Sequence, residues 1–134
     1  MSRANITTFS RPLRYRPKTI TISPGVEFST MLGEEKGIDV RIAIDVMRLV
    51  RTNELDVALL FSQDQDFSEV ADEVRAVARE QDRWIKIASA FPLSGTASNT
   101  RGINKTDWIP IDRALYDACI DPRDYRPPRR SSGH

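Results

Sequence analysis

The sequence has almost no cysteine or histidine, with one of each among 134 residues, Cys119 and His134. A single cysteine excludes an internal disulfide and is typical of proteins in the reducing cytoplasm, where we expect this one to act. One histidine and one cysteine cannot build a His/Cys zinc cage. A Ser-His-Asp triad is not expected either, because its histidine would have to be His134, the last residue of the sequence. Any chemistry must therefore rest on carboxylates, hydroxyls and basic side chains.

Long apolar runs are also lacking. A membrane-spanning helix needs roughly 18 or more consecutive apolar residues, so we expect no transmembrane span. No basic start is followed by an apolar segment, so we expect no secretory signal. With 40% hydrophobic residues, the chain is long enough for one modest core and too short for two. We expect a single domain over 1–120 and a basic, proline-rich disordered tail over 121–134.

The near-neutral charge, 20 basic against 19 acidic side chains, is unevenly distributed. Residues 1–18 carry five basic side chains and no acid, whereas residues 34–82 carry 13 acids against 6 bases. An acidic middle between basic flanks suits a polyanionic substrate held over a cation-binding acidic site. The alternative interpretation is a set of solvated helix faces with basic tails.

Hydrophobic periodicity and turn residues predict the elements. They indicate a strand over 6–9, a β-hairpin near 18–32, helices over 38–50 and from residue 67, strands over 56–62, 84–90 and 108–111, and a closing helix over 113–119. The Ser-, Thr-, Asn- and Gly-rich segment 94–106 is predicted to be a mobile loop. This order favours an α/β fold with a mostly parallel sheet flanked by helices.

Three aspartates stand at informative places in this pattern. Asp64 and Asp66 follow the strand 56–62, at the end of a parallel strand where ligands bind, and Asp39 opens the preceding helix. Carboxylates that converge repel one another unless a cation such as Mg²⁺ or Mn²⁺ neutralises them. Each residue also has a purely structural interpretation: Asp66 as a helix N-cap, Asp39 as a first-turn acid and Asp64 as a turn residue. Ser62 is either a phosphate contact or the polar end of the strand.

Three segments resemble the motifs of the NYN family of PIN-like nucleases. They are KGIDV (36–40), AID (43–45) and DVALLFSQDQDF (56–67). The family pattern is K-G-(V/I)-D-V, a helix with D-hydrophobic-(M/L), and a strand that ends S-x-D-x-D-F. The resemblance runs from about residue 6 to residue 112, most of the chain. It implies a PIN-like three-layer fold and a divalent-metal-dependent ribonuclease activity.

The motif match also implies roles for individual residues. Asp39, Asp64 and Asp66 match the catalytic, metal-binding acids, with Mg²⁺ or Mn²⁺ as the cofactor. Ser62 is expected to contact the substrate beside them, and Asp45 matches a helical acid that supports the site. The implied reaction is hydrolysis of an RNA phosphodiester by a metal-activated water.

A basic stretch near the start of the chain adds candidate RNA contacts. Arg11, Arg14 and Arg16, interleaved with Tyr15, are expected to hold an RNA backbone and stack a base. The alternative is a solvated linker. Arg101 and Lys105, in the polar segment 94–106, are further candidates for phosphate contacts.

One element of the family pattern is missing. The family begins with a central strand that ends D-x-x-N, whereas the first aspartate here is Asp39. The sheet is therefore expected to lack its centre strand and to expose apolar surface on 6–9 and 56–62. Three explanations stay open. The sequence is a fragment of a longer protein, the strand is supplied by another copy or by a partner chain, or the domain is degenerate.

The missing acid leaves a second function open, a catalytically incomplete RNA- or protein-binding module on the same fold. A receiver-like phosphate-binding domain is less favoured, because no acidic pair opens the chain and no suitable lysine follows the later strands. No membrane partner is expected.

Overall fold

A computed structural model describes residues 6–126, which form five strands and three helices. In chain order these are β1 (Arg14–Ser23), β2 (Val26–Glu34), α1 (Ile38–Arg51), β3 (Val57–Phe61), α2 (Phe67–Glu80), β4 (Lys86–Pro92), β5 (Asp107–Ile111) and α3 (Arg113–Ala118). Strands β3, β4 and β5 form a parallel sheet in that order, and β1 and β2 form a separate antiparallel pair. The predicted α/β class, parallel sheet and hairpin are therefore confirmed. The chain divides into two compact units.

The first unit, which runs up to Asp56 and includes Asp72–Ile85, contains the hairpin. Its strands pair from Arg14 opposite Glu34 to Ser23 opposite Val26. The turn between them places Gly25 at φ 80°, a left-handed conformation that glycine adopts without steric cost. Every residue of β1 is exposed. The hairpin therefore contributes no buried side chain from its first strand.

Helix α1 of the same unit has chemically matched ends. It begins after Gly37, which has φ 84°, with an acid in the first turn and Arg48 and Arg51 in the last, as the helix dipole favours. The final carbonyls of a helix have no partner within it. Here the Arg83 guanidinium supplies one, because its Nη2 donates to the Val50 carbonyl at 2.9 Å, while its Nη1 donates to the Leu55 carbonyl at 3.0 Å. Arg83 therefore fixes the chain where α1 ends.

The second unit, Val57–Ala71 and the residues from Lys86 onward, contains the parallel sheet. In its register Leu60 lies beside Ser89, and Ser89 lies beside Trp108. Leu60 and Ser89 are buried on the same face, together with Phe91. The first turn of α2 buries Phe67, Val70 and Ala71. This face carries the core of the unit.

The opposite face of the sheet is apolar and exposed. Leu59 and Phe61 of β3 keep 45% and 75% of their surface in contact with solvent. Within the described part of the chain, β3 pairs only with β4, so its other edge is open. A groove of about 360 Å³ runs along this face. Its lining residues are Leu59, Phe61, Ala90, Ile109, Ile111, Leu115, Tyr116 and Cys119. The exposed apolar surface expected for 56–62 is thus observed.

We expect Phe61→Lys to reduce self-association of the protein. An open edge strand with exposed apolar side chains promotes pairing between molecules, and a lysine on the edge opposes it. Light scattering over a concentration series should show large species for the native chain and a shift toward the monomer for the variant. Val40→Lys is the matched control, because Val40 is 62% exposed but lies on α1 rather than on a sheet edge. Equal scattering by both variants would contradict the expectation.

The strand predicted over 6–9 is wrong, because residues 6–13 belong to no helix or strand. A strand persists only when a neighbour satisfies its backbone, and β-branched composition alone does not provide that neighbour. The Phe9 ring instead contacts two cations, the Arg41 guanidinium at 4.6 Å and the Arg11 guanidinium at 5.4 Å.

Two remaining predictions concern the end of the chain and the membrane. Residues 121–126 form no helix or strand. The rest of the predicted disordered tail, 127–134, lies outside the described residues. None of the described helices has the length and apolar character needed to cross a bilayer.

Candidate active site

The turn between β3 and α2 holds two of the three acids that the sequence singled out, Asp64 and Asp66. Ser62 Oγ accepts a hydrogen bond from the Asp64 amide at 3.1 Å, and Asp64 Oδ1 accepts one from the Asp66 amide at 3.0 Å. The Phe67 amide then donates to the Asp64 carbonyl at 3.3 Å as α2 begins. These successive bonds hold both carboxylates in one turn at the carboxyl end of a parallel strand, where ligands of α/β sheets bind.

Both carboxylates of this turn remain open to a cation. Asp64 and Asp66 are exposed, and neither forms an ion pair with another residue in the described range. Two neighbouring carboxylates without a compensating charge attract a positively charged ligand. The turn therefore presents two exposed carboxylates that have no ion pair within residues 6–126.

The set of ligands is smaller than the sequence predicted. Over residues 6–126, no group of three or more His, Cys, Asp or Glu side chains is gathered to hold a metal ion. The turn fits a different arrangement, since Mg²⁺ in proteins is often held by one or two carboxylates and keeps several of its waters. Asp39 is exposed in the first turn of α1, within the first unit. Its role as a metal ligand stays a prediction.

Asp45 is occupied by ion pairs within α1. Its carboxylate accepts hydrogen bonds from Arg41 Nε at 2.9 Å and Arg48 Nη2 at 3.3 Å. The hydrogen bond from Arg41 is the main cause that holds the pKa of Asp45 below its ordinary value, and partial desolvation opposes it. Asp45 therefore braces its own helix, and a supporting role toward the other acids stays a prediction.

The basic stretch near the start of the chain does not lie on one face of the hairpin. Successive side chains of a strand point to opposite faces, so Tyr15 lies on the face opposite Arg14 and Arg16. Arg16 also forms a loose ion pair with Glu34, at 3.7 Å between Nε and Oε2. Arg11 precedes the strand and lies against Gly37. A base stacked on Tyr15 and a phosphate held by Arg14 would thus occupy different faces of the hairpin.

Two glutamines that alternate with the acids are the residues that sequence reasoning missed. Gln63 Nε2 donates to the carbonyls of Asn99 at 3.1 Å and Arg101 at 3.0 Å. Gln65 Nε2 donates to the Gly102 carbonyl at 3.0 Å, and its Oε1 accepts from the Asn104 amide at 2.9 Å. Together, these bonds form a clasp between the acidic turn and residues 99–104. The only signal in the sequence was the alternation Gln-Asp-Gln-Asp.

The prediction of a mobile loop over 94–106 fails in its second half. Gly102 and Ile103 are buried, and the Ile103 amide donates to Ser89 Oγ at 3.0 Å. The Ile103 carbonyl accepts from Trp108 Nε1 at 2.8 Å and from Thr106 Oγ1 at 2.7 Å. Polar composition suggested mobility, but the polar side chains here satisfy backbone groups instead.

Comparison with known families gives one result that covers this region. The sequence model of the NYN domain family matches residues 3–94, about two-thirds of the chain. The matched range includes α1, β3 and the acidic turn. No curated protein and no solved structure matches the chain.

Proposed function

Because this chain belongs to the NYN domain family, we propose that it is a divalent-metal-dependent endoribonuclease with a PIN-like three-layer fold. The substrate is RNA, and the reaction is hydrolysis of a phosphodiester bond. The metal is Mg²⁺ or Mn²⁺. The single cysteine, exposed and unpaired at Cys119, suits action in the reducing cytoplasm.

The observation that carries this proposal is the acidic turn. Asp64 and Asp66 stand exposed at the carboxyl end of β3 and form no ion pair with any residue of 6–126. A structural N-cap needs one acceptor, and two open carboxylates exceed that need. Hard oxygen donors of this kind suit Mg²⁺ or Mn²⁺.

The residues of the turn have separable roles in this mechanism. Asp64 and Asp66 hold the cation, while the bond from the Asp66 amide to Asp64 Oδ1 fixes the orientation of the Asp64 carboxylate. Ser62 Oγ already accepts from the Asp64 amide, so its hydroxyl hydrogen is directed elsewhere and can donate to a phosphate oxygen. When bound, the cation supplies a water of lowered pKa and offsets negative charge on the phosphate. Asp39 is assigned as a further ligand from its motif alone.

A second candidate function is an RNA- or protein-binding module without cleavage. It is favoured by the absence, among residues 6–126, of three acids gathered for a metal. A module of this kind would keep its basic contacts and lose the requirement for a divalent ion.

Removing the metal separates the two functions. We expect a labelled single-stranded RNA to be cleaved in Mg²⁺ or Mn²⁺, to stay intact in EDTA, and to be cleaved again when excess metal is restored. Gel analysis of the RNA over a metal titration measures this. RNA binding that is insensitive to EDTA, without cleavage at any metal concentration, would reject the nuclease and support the binding module.

A further inference from the structure

Arg101 differs from two other basic residues of its unit in having no acidic partner within residues 6–126. In the same unit, Lys86 pairs with Asp107 at 2.7 Å and Arg113 with Asp117 at 2.8 Å. Among the described residues, the exposed Arg101 guanidinium forms no ion pair. It contacts Asn104 Oδ1 at 3.3 Å and lies 5.9 Å from the centre of the Trp108 ring. Its positive charge is therefore available to an external anion.

The backbone that carries Arg101 is held on both sides. The next two residues, Gly102 and Ile103, are buried, and Ile103 is tied to Ser89 and Trp108. The Arg101 amide also donates to Asn99 Oδ1 at 3.2 Å. A guanidinium on a fixed backbone loses less entropy when it binds a ligand than one on a flexible loop.

The clasp places this backbone beside the acidic turn. Gln63 Nε2 lies 3.0 Å from the Arg101 carbonyl, and Gln63 is the residue immediately before Asp64. The turn alone repels a polyanion, because Asp64 and Asp66 are both acidic. A cation on a backbone that is bonded to this turn offsets that repulsion where a phosphate must approach. The planar guanidinium also matches two phosphate oxygens at once.

We propose that Arg101 binds a phosphate of the RNA at the acidic turn and that Gln63 and Gln65 are positioning residues that hold its loop there. The inference rests on the proposed function for its substrate class, a single-stranded RNA phosphodiester. The positioning role follows from the clasp, because Gln63 and Gln65 donate to backbone carbonyls within residues 99–102.

The first test measures the phosphate contact. Fluorescence anisotropy of a fluorescein-labelled single-stranded RNA, titrated in EDTA at several salt concentrations, gives the affinity and its salt dependence. Arg101→Gln is expected to weaken binding about tenfold and to reduce the slope of log affinity against log salt by about 0.7, the value for one phosphate contact on a single strand. Arg101→Lys should keep the slope and recover part of the affinity.

The matched control removes the same charge elsewhere in the unit. Arg113→Gln deletes an exposed arginine whose charge Asp117 already compensates, and we expect native affinity and slope. If Arg101→Gln and Arg113→Gln behave alike while the native chain binds RNA, the inference is overturned. If the native chain binds no RNA, both the inference and the proposed function fail. If it binds through Arg101 but does not cleave, the inference stands and only the nuclease is rejected.

The second test measures positioning. Gln65→Leu removes the acceptor of the Asn104 amide, so hydrogen exchange of that amide is expected to accelerate. RNA affinity should fall about as far as in Arg101→Gln. The double variant should lose little more affinity than either single variant, because both changes remove the same contact between Arg101 and the phosphate. Independent, additive losses would overturn the positioning role. A thermal melt of each variant establishes that the protein is folded during the measurement.

Discussion

Asp64→Asn is expected to lower the metal-stimulated rate of RNA cleavage by about 100-fold or more. A bound metal ion stabilises the transition state by several kcal/mol. Each tenfold change in rate corresponds to about 1.4 kcal/mol. Asparagine has nearly the same shape and keeps an Oδ1 acceptor for the Asp66 amide, which lies 3.0 Å from that atom in the native turn. The substitution therefore removes the charge and leaves the local hydrogen bond. Initial rates over a metal titration measure the effect.

The control for this variant is Asp107→Asn. Asp107 is an exposed aspartate of the same unit whose charge is paired with Lys86, and an exposed pair of this kind contributes about 1 kcal/mol or less to stability. We expect native cleavage rates from it. A native rate from Asp64→Asn as well would remove Asp64 from the mechanism, whatever the activity of the chain.

The local elements could be predicted because each is encoded by its own segment. The helical period of Ile42, Val46 and Val50 predicted α1, and the helix is observed over Ile38–Arg51. The apolar run 56–62 predicted β3, observed over Val57–Phe61. The predicted strand over 84–90 is displaced by two residues, to Lys86–Pro92, because the pairing of β4 with β3 and β5 sets its bounds.

The failures share a physical cause, which is dependence on distant partners. Residues 6–9 have strand composition but no strand, because composition does not specify a pairing neighbour. Residues 99–104 have loop composition but a fixed backbone, because Gln63, Gln65 and Ser89 bond to them from earlier in the chain. Hydrogen bonds between residues 14 to 39 positions apart leave no periodicity to detect.

The sequence predicted the acids of the turn, but it did not predict the glutamine side chains that bond the turn to residues 99–104. The motif placed Ser62, Asp64 and Asp66 in one turn, and the hydrogen bonds of that turn agree. The same motif gave no reason to notice the clasp, since Gln63 and Gln65 stand at the variable positions of S-x-D-x-D-F. The Gln63 side-chain amide nevertheless reaches the carbonyls of Asn99 and Arg101.

Gly102→Ala is expected to lower the free energy of unfolding more than any other variant proposed here, because the close packing around Gly102 leaves no space for a methyl group. An added Cβ would lie 2.6 Å from Ser89 Oγ and 2.6 Å from Trp108 Cδ1. Neither neighbour is free to withdraw: Ser89 Oγ bonds to the Ile103 amide and to Thr106 Oγ1, and Trp108 Nε1 bonds to the Ile103 carbonyl. Overpacking of this kind costs about 1–3 kcal/mol.

Gly95→Ala is the matched control for this variant. No atom lies within 4 Å of the Cβ it would add, so its effect should act through the unfolded chain. Alanine lowers the conformational entropy of the unfolded chain and thereby stabilises the folded protein by about 0.4–1 kcal/mol. Chemical denaturation followed by tryptophan fluorescence compares the free energies of unfolding of the two variants. Because the Gly102 carbonyl is also an acceptor of the clasp, Gly102→Ala should accelerate exchange of the Asn104 amide before global unfolding. Equal stability of the two variants would mean that the backbone at Gly102 relaxes freely, which the buried, hydrogen-bonded Ile103 beside it argues against.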